Sequence, residues 1–276
     1  MEFAIINNEI ISSSQVKLSI TNRAFLYGDG FFETIKIFSS KVFNFSNHYS
    51  RIINSAKMLD LDFNVSVSEL EKSVNAIIRK NNIIDGSIRI TIFRDSDGKY
   101  FPDDNKSSYY IYTFNDTQDC FFLNSNHPLS LGIYEDNYKP LSALSRIKSL
   151  NSLLYVMASK YAKKNDFDDV LLLNSNKNII ESANSNIFLC YGDVIYTPPI
   201  SDGCVDGSMR RLIITLLKDK FTLSTKTITY NDVVECEELF LSNAISGVRW
   251  VGSFGDKEFV KKDISSYLIN SLNKLI

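Results

Sequence analysis

Lys148 stands in the stretch Leu141-Ser142-Ala143-Leu144-Ser145-Arg146-Ile147-Lys148-Ser149-Leu150-Asn151, just after a polar loop and just before an apolar helical pattern. A lysine so placed can be half buried, and burial lowers its pKa by disfavouring the charged form. A neutral amine can form a Schiff base with an aldehyde. An ordinary surface lysine fits the same stretch, so the reading turns on what else the chain carries.

Four further stretches bear on it. Arg51, in His48-Tyr49-Ser50-Arg51, reads as lying in the first turn of a helix, where backbone N–H groups and a guanidinium can act together on an anion. A solvated arginine is the plain alternative. Glu181 lies between apolar residues and is followed by Ser182-Ala183-Asn184-Ser185. Its carboxylate could keep a ring nitrogen protonated, or it could cap a loop. Gly203-Cys204-Val205-Asp206-Gly207-Ser208-Met209-Arg210-Arg211 is a glycine-bounded loop entering a helix, and its N–H groups could cradle a phosphate. Leu241-Ser242-Asn243-Ala244-Ile245-Ser246-Gly247 follows a strand and could complete that cup, or be an ordinary turn. Together these stretches ask for one partner bearing an aldehyde, a ring nitrogen and a phosphate. Pyridoxal 5'-phosphate has all three.

Composition narrows the field. The chain has 276 residues and a net charge of -2, with its charges spread along it. No basic block points to nucleic acid, and no apolar run reaches membrane-spanning length. The N-terminal apolar run is too short for a signal peptide. Cys120, Cys190, Cys204 and Cys236 are widely spaced, which disfavours a disulfide framework or zinc ribbon and fits a reducing cytoplasm. Two histidines, His48 and His127, argue against a histidine-built metal centre, and no metal is expected.

The elements that must position these residues alternate strands and helices. Strands are expected at 3–6, 17–20, 31–38, 41–45, 88–93 and 109–114, with helices over 48–59 and from a capping box at Ser68-Glu69-Leu70-Glu71. The polar stretch 115–127 reads as a linker. Beyond it come strands at 129–134, 170–173, 186–190, 194–197, 221–229, 238–241 and 248–251. Helices follow at 150–164, 207–219 and 265–275. The first of these turns Leu150, Leu153, Leu154, Met157, Ala158 and Tyr161 inward. The pattern is two unlike α/β halves with Lys148 in the second.

The chain resembles the class IV (fold type IV) pyridoxal-phosphate enzymes, which include branched-chain aminotransferases, D-amino-acid aminotransferases and 4-amino-4-deoxychorismate lyases. Residues 22–34, from Asn22-Arg23-Ala24 to Phe32-Glu33-Thr34, look like the family's N-terminal signature. His48-x-x-Arg51 with Ser55-Ala56 looks like its phosphate-arginine helix, Ile147-Lys148-Ser149-Leu150-Asn151 like its lysine motif, and Glu181 through Phe188 like its ring-nitrogen segment. The resemblance implies a two-domain α/β (α+β) fold. It has a smaller N-terminal α/β domain over 1–115, a linker over 116–127 and a larger pseudo-barrel domain over 128–276. It also implies a homodimer, with the cofactor buried between domains. Lys148 would bond the cofactor and serve as general base and acid. Glu181 would hold the ring nitrogen, and Arg51 with the N–H groups around Ser208, Met209, Asn243 and Ala244 would hold the phosphate.

The small-molecule amino substrate is less constrained. Arg89 and Arg94 have opposite strand parity, so only one is expected to face the pocket and read a carboxylate. Tyr27, Phe31 and Phe32 could line a pocket for a flat ring or belong to the core. Met209-Arg210 and Asn243-Ala244 resemble the lyases, where aminotransferases more often carry threonine. The expected enzyme is therefore a 4-amino-4-deoxychorismate lyase releasing pyruvate and p-aminobenzoate for folate synthesis. A branched-chain or D-amino-acid aminotransferase is the alternative. A pyridoxal-phosphate-binding homologue without turnover is the alternative of another class.

Overall fold

The structure is a computed structural model and describes residues 2–276. The chain divides into two compact units between Cys120 and Phe121, and residues Ile147–Asn151 return to the first unit. Lys148 was expected in the second half and instead belongs to the first unit.

In the first unit the elements are β1 (Phe3–Ile6), β2 (Glu9–Ser12), α1 (Arg23–Tyr27), β3 (Gly30–Phe38), β4 (Lys41–Val42), α2 (Phe45–Met58), α3 (Val67–Lys80), β5 (Gly86–Arg94) and β6 (Ser107–Asn115). The strands form one sheet in the order β2-β1-β6-β5-β3-β4. Alternation decides its faces. Phe31, Ile35 and Ile37 of β3 and Ile88, Ile90 and Ile92 of β5 share one core with Ile52 of α2 and with Leu70, Val74 and Ile77 of α3. Phe32 and Thr34 therefore take the opposite face, together with Arg89, which pairs with Thr34. Residues 17–20 form no strand and Leu18 and Ile20 are exposed. The capping box of α3 lies two residues before the expected one. Ser66 Oγ accepts from Glu69 N–H while Glu69 accepts from Ser66 N–H at 2.8 Å.

The second unit contains β7 (Leu129–Lys139), α4 (Leu153–Lys164), β8 (Asp169–Asn174), β9 (Ile179–Ser182), β10 (Asn186–Tyr191), β11 (Val194–Thr197), α5 (Ser208–Leu217), β12 (Thr222–Thr225), α6 (Tyr230–Glu235), β13 (Glu238–Asn243), β14 (Gly247–Phe254), β15 (Lys257–Glu258) and α7 (Asp263–Asn273). A mixed sheet runs β12-β11-β10-β13-β14-β7-β8-β9, with β15 beside β14. It curls into a half-barrel that brings β9 near β10. β8 is buried on both faces. Val170 and Leu172 pack with Ala158 and Ala162 of α4, while Leu171 and Leu173 join the core of β10, β13 and β14. The apolar face expected for α4 is only partly used. Ala158 and Ala162 are buried, but Leu153 is 72% exposed and Met157 42%. The expected strand over 221–229 is shorter, and α6 follows it, opened by its own capping box at Thr229 and Asp232.

Candidate active site

In the first unit, residues 147–151 dock on the β3 edge like a short extra strand. Phe32 N–H donates to Lys148 O at 3.0 Å and Leu150 N–H donates to Gly30 O at 3.0 Å, with Phe31 bridging Ser149. Asn151 Nδ2 donates to Gly28 O at 3.1 Å. Gly28 has φ +64°, and a Cβ there would sit 2.8 Å from Asn151 Oδ1, so glycine is needed both for the turn and for the close approach. The Lys148 backbone is thereby fixed beside Phe32. Its Nζ lies 4.0 Å from the centre of the Phe32 ring, and the Arg89 guanidinium lies 3.7 Å from the same ring. Arg89 Nε is buried and makes no hydrogen bond. The three side chains form one group with two cations and a flat apolar surface.

Arg94 takes the other side of the sheet, as its parity requires. Its Nε donates to Asp29 at 3.1 Å, and its two other nitrogens donate to Leu59 O, Asp60 O and Asn105 Oδ1. It ties loops together, and only Arg89 remains on the Lys148 side. Tyr27 packs on Tyr100, ring centres 5.4 Å apart, and under the Arg23 guanidinium.

Arg51 lies in the second turn of α2, which begins at Phe45, and not in a first turn. Its backbone N–H is therefore inside the helix ladder, and only the side chain can meet an anion. That side chain grips Glu33, with Nε to Oε1 and Nη2 to Oε2 both at 2.6 Å. His48 Nδ1 lies 2.6 Å from the same carboxylate. Burial alone would raise the pKa of Glu33, but the Arg51 charge and hydrogen bonds, followed by those of His48, lower it to about 2. Burial pushes His48 down, against the lifting effect of Glu33. Sequence reading missed Glu33. Its signal was a single charge on the strand face shared by Phe31, Ile35 and Ile37, a position that demands a buried cation.

In the second unit, Glu181 on β9 is 3% exposed. Its Oε1 accepts from Lys139 Nζ at 2.6 Å and from Tyr155 OH at 2.9 Å, and its Oε2 accepts from Val205 N–H at 2.8 Å. Val205 O in turn accepts from Asn186 Nδ2 at 2.9 Å. The loop before α5 is thus clamped on both sides. Gly207 forms the N-cap of α5 with no side chain capping the helix, and a Cβ on it would lie 2.0 Å from Asn186 Oδ1. The first turn holds Ser208 and Met209, both buried. An α-helix start of this kind turns N–H groups toward an anion. Asn243 shapes the neighbouring loop that carries Ala244. Its Oδ1 accepts from Ile245 and Ser246 N–H at 3.0 and 2.8 Å, and its Nδ2 donates to Ser185 Oγ at 2.9 Å. Ser242 Oγ is buried and makes no hydrogen bond. Sequence reading did not find Lys139, Tyr155 or Asn186. Lys139 closes a polar run, and nothing in its neighbours marks it as buried.

A sheet of six strands with three helices, and a curled sheet of nine strands carrying a buried glutamate, define a fold type IV enzyme. The family model for amino-transferase class IV matches residues 30–254, and the chain belongs to that family of pyridoxal-phosphate-dependent enzymes. It is 27% identical over 252 residues to the D-alanine aminotransferase of Staphylococcus epidermidis, covering 90% of this chain and 87% of that one. A Legionella pneumophila structure with a provisional 4-amino-4-deoxychorismate lyase assignment is 28% identical, with a TM-score of 0.87 over 96% of this chain and 97% of that chain. The branched-chain aminotransferase of Thermobaculum terrenum, solved in its pyridoxal-phosphate form, shares the fold at 18% identity and a TM-score of 0.88, over 99% and 93% of the two chains. The residues of this chain fit the cofactor. Gly207 keeps the start of α5 open, Glu181 offers a buried carboxylate, and Lys148 offers an amine beside an aromatic ring.

Proposed function

We propose that the protein is a lyase acting on 4-amino-4-deoxychorismate, releasing pyruvate and p-aminobenzoate, and so serving folate synthesis. The observation that carries this reading is the grouping of Phe32, Arg89 and Lys148, with Arg89 Nε buried and unbonded. A flat substrate ring packs on Phe32, and a carboxylate satisfies Arg89. The likeness to the Legionella protein over nearly the whole of both chains supports the same reading.

Lys148 is the amine that would bond the cofactor and be freed by the substrate amine. Bound pyridoxal phosphate supplies a conjugated ring that accepts an electron pair from the carbon bearing that amine. That pair is the one left when Lys148 Nζ, acting as general base, takes the proton from this carbon. The ring C–O bond to the enolpyruvyl ether would then break, the enolpyruvyl group leaving with the electron pair of that bond as enolpyruvate. Enolpyruvate takes up a proton at its methylene carbon to become pyruvate, and the six-membered ring that stays behind becomes aromatic. Glu181 would hold the ring nitrogen, while Arg51, the start of α5 and the Asn243-Ala244 loop would hold the phosphate. Met209 and Ala244 bring no hydroxyl there, so the phosphate would rest on N–H groups and Arg51. We place the enzyme in the cytoplasm as a homodimer. Its four free cysteines suit a reducing compartment, and Phe25 and Leu153, at 75% and 72% exposure, leave apolar surface for a second copy. Among the described residues no helix is long and apolar enough to cross a membrane.

A second reading, transamination of D-amino acids, is favoured by the likeness to D-alanine aminotransferase over 90% of this chain. In it Lys148 would give back the proton it had taken, and hydrolysis would release a keto acid. The deciding assay follows p-aminobenzoate fluorescence from 4-amino-4-deoxychorismate made in place from chorismate. Release by the wild type, its loss in Lys148→Ala and a KM raised about tenfold to a hundredfold in Arg89→Met are expected. Cofactor-loaded protein that releases none, yet exchanges amino groups between D-amino acids and 2-oxoglutarate, overturns the lyase reading.

A further inference from the structure

Glu181 enters its role already heavily engaged. A carboxylate offers about four acceptor sites. Lys139 and Tyr155 take two on Oε1 and Val205 N–H takes one on Oε2, which leaves a single site, on Oε2, for a further donor. Lys139 is 5% exposed, and Glu181 is its one ion-pair partner among the described residues. Burial and the neighbouring carboxylate raise the Tyr155 phenol well above 10, so it stays a donor.

A buried carboxylate with no cation beside it would attract a protonated ring nitrogen strongly, because low dielectric amplifies the charge. Paired with Lys139, the carboxylate is part of a net-neutral cluster. We propose that Lys139 is a positioning residue that moderates the hold of Glu181 on the cofactor's ring nitrogen, with Tyr155 adding to the effect. This rests on the assignment of Glu181 to that nitrogen. The moderation suits a reaction whose product is aromatic, since aromatisation supplies driving force that a strongly electron-withdrawing ring would otherwise have to provide.

The test compares two cofactors on protein stripped of its own. One is pyridoxal phosphate. The other is its 1-deaza analogue, in which a C–H replaces the ring nitrogen. The ratio of their dissociation constants isolates the nitrogen contact, and no turnover is needed. Lys139→Met is expected to raise the preference for the natural cofactor at least about tenfold. Lys139→Arg keeps the wild-type ratio, because the charge remains. Tyr155→Phe raises the ratio by a smaller factor, and it decides the matter if Lys139→Met does not fold. A merely structural role for Lys139 weakens both cofactors alike and leaves the ratio unchanged. An unchanged or lowered ratio in Lys139→Met and Tyr155→Phe overturns the proposal. Glu181→Gln is the separate control. It should erase the preference, and a full preference in that variant would remove the Glu181 assignment itself.

Discussion

Glu33 stands on an apolar strand face, and Arg51 and His48 are what make its charge tolerable there. The sign of its effect on stability follows from its low pKa. The folded value is about 2 against an ordinary 4.5, so the unfolded chain binds the proton first as pH falls. Stability from this group is complete above pH 4.5 and drains away toward pH 2. Its magnitude is on the order of 3 kcal/mol. His48, also lowered by burial, begins the loss earlier, as pH falls through 6.5. Glu33→Gln should flatten the acid limb between pH 4.5 and 2 and lower stability at pH 7 by about 3–5 kcal/mol. Thermal midpoints measured across that range check both, and parallel acid limbs in the two proteins would contradict the assignment. At this scale the sequence was legible where one residue carried its own context. The opposed parity of Arg89 and Arg94 is an example. The Glu33–Arg51 and Lys139–Glu181 pairs were not legible, because each joins residues from different elements whose approach only the folded sheet defines.

Among elements, the start of α5, proposed to hold the phosphate, turns on a single glycine. Gly207 has φ -66°, a value any residue adopts, so the backbone does not call for glycine there. Space does, since a Cβ would overlap Asn186 Oδ1. Gly207→Ala should therefore keep the helix and push the loop off the Glu181–Val205–Asn186 clamp. The expected result is at least about tenfold weaker retention of pyridoxal phosphate, with pyridoxal, which lacks the phosphate, affected far less. Equilibrium dialysis with the two compounds measures this, and equal losses would show that the loop does not serve the phosphate. Helix and strand interiors were readable from periodicity, whereas ends were less so. Ser66 and Ser68 are both plausible caps three residues before an acidic side chain or near one, and only the path of the chain selects Ser66. α4 misled for a different reason. Its apolar residues surround the helix, so Ala158 and Ala162, with Leu154 and Tyr161 beside them, pack into the cluster of β8, while Leu153 and Met157 stay exposed.

At the scale of the whole molecule, the chain passes between its two units three times, because residues 147–151 complete the first after the second has begun. Ile147 is 4% exposed and sits in the core of the first unit. No local pattern could reveal this, since the pairing of Phe31 with Ser149 spans more than a hundred residues. A fragment ending at Cys120 should melt about 10 °C or more below the same fragment with residues 147–151 joined to it by a flexible linker. Circular dichroism decides between them, and equal melting would mean that the segment adds nothing to that sheet. The same feature sets an order of events during synthesis. A ribosome adds about 5–20 residues per second, so some 30 residues, or about 2–6 s, separate the emergence of Cys120 from that of Asn151. Through that interval the Gly30–Phe32 edge is a bare strand edge of the sort that invites pairing with other nascent chains. The lysine proposed to bond the cofactor is part of the closing piece, so the newborn protein could not acquire that chemistry before this edge is covered.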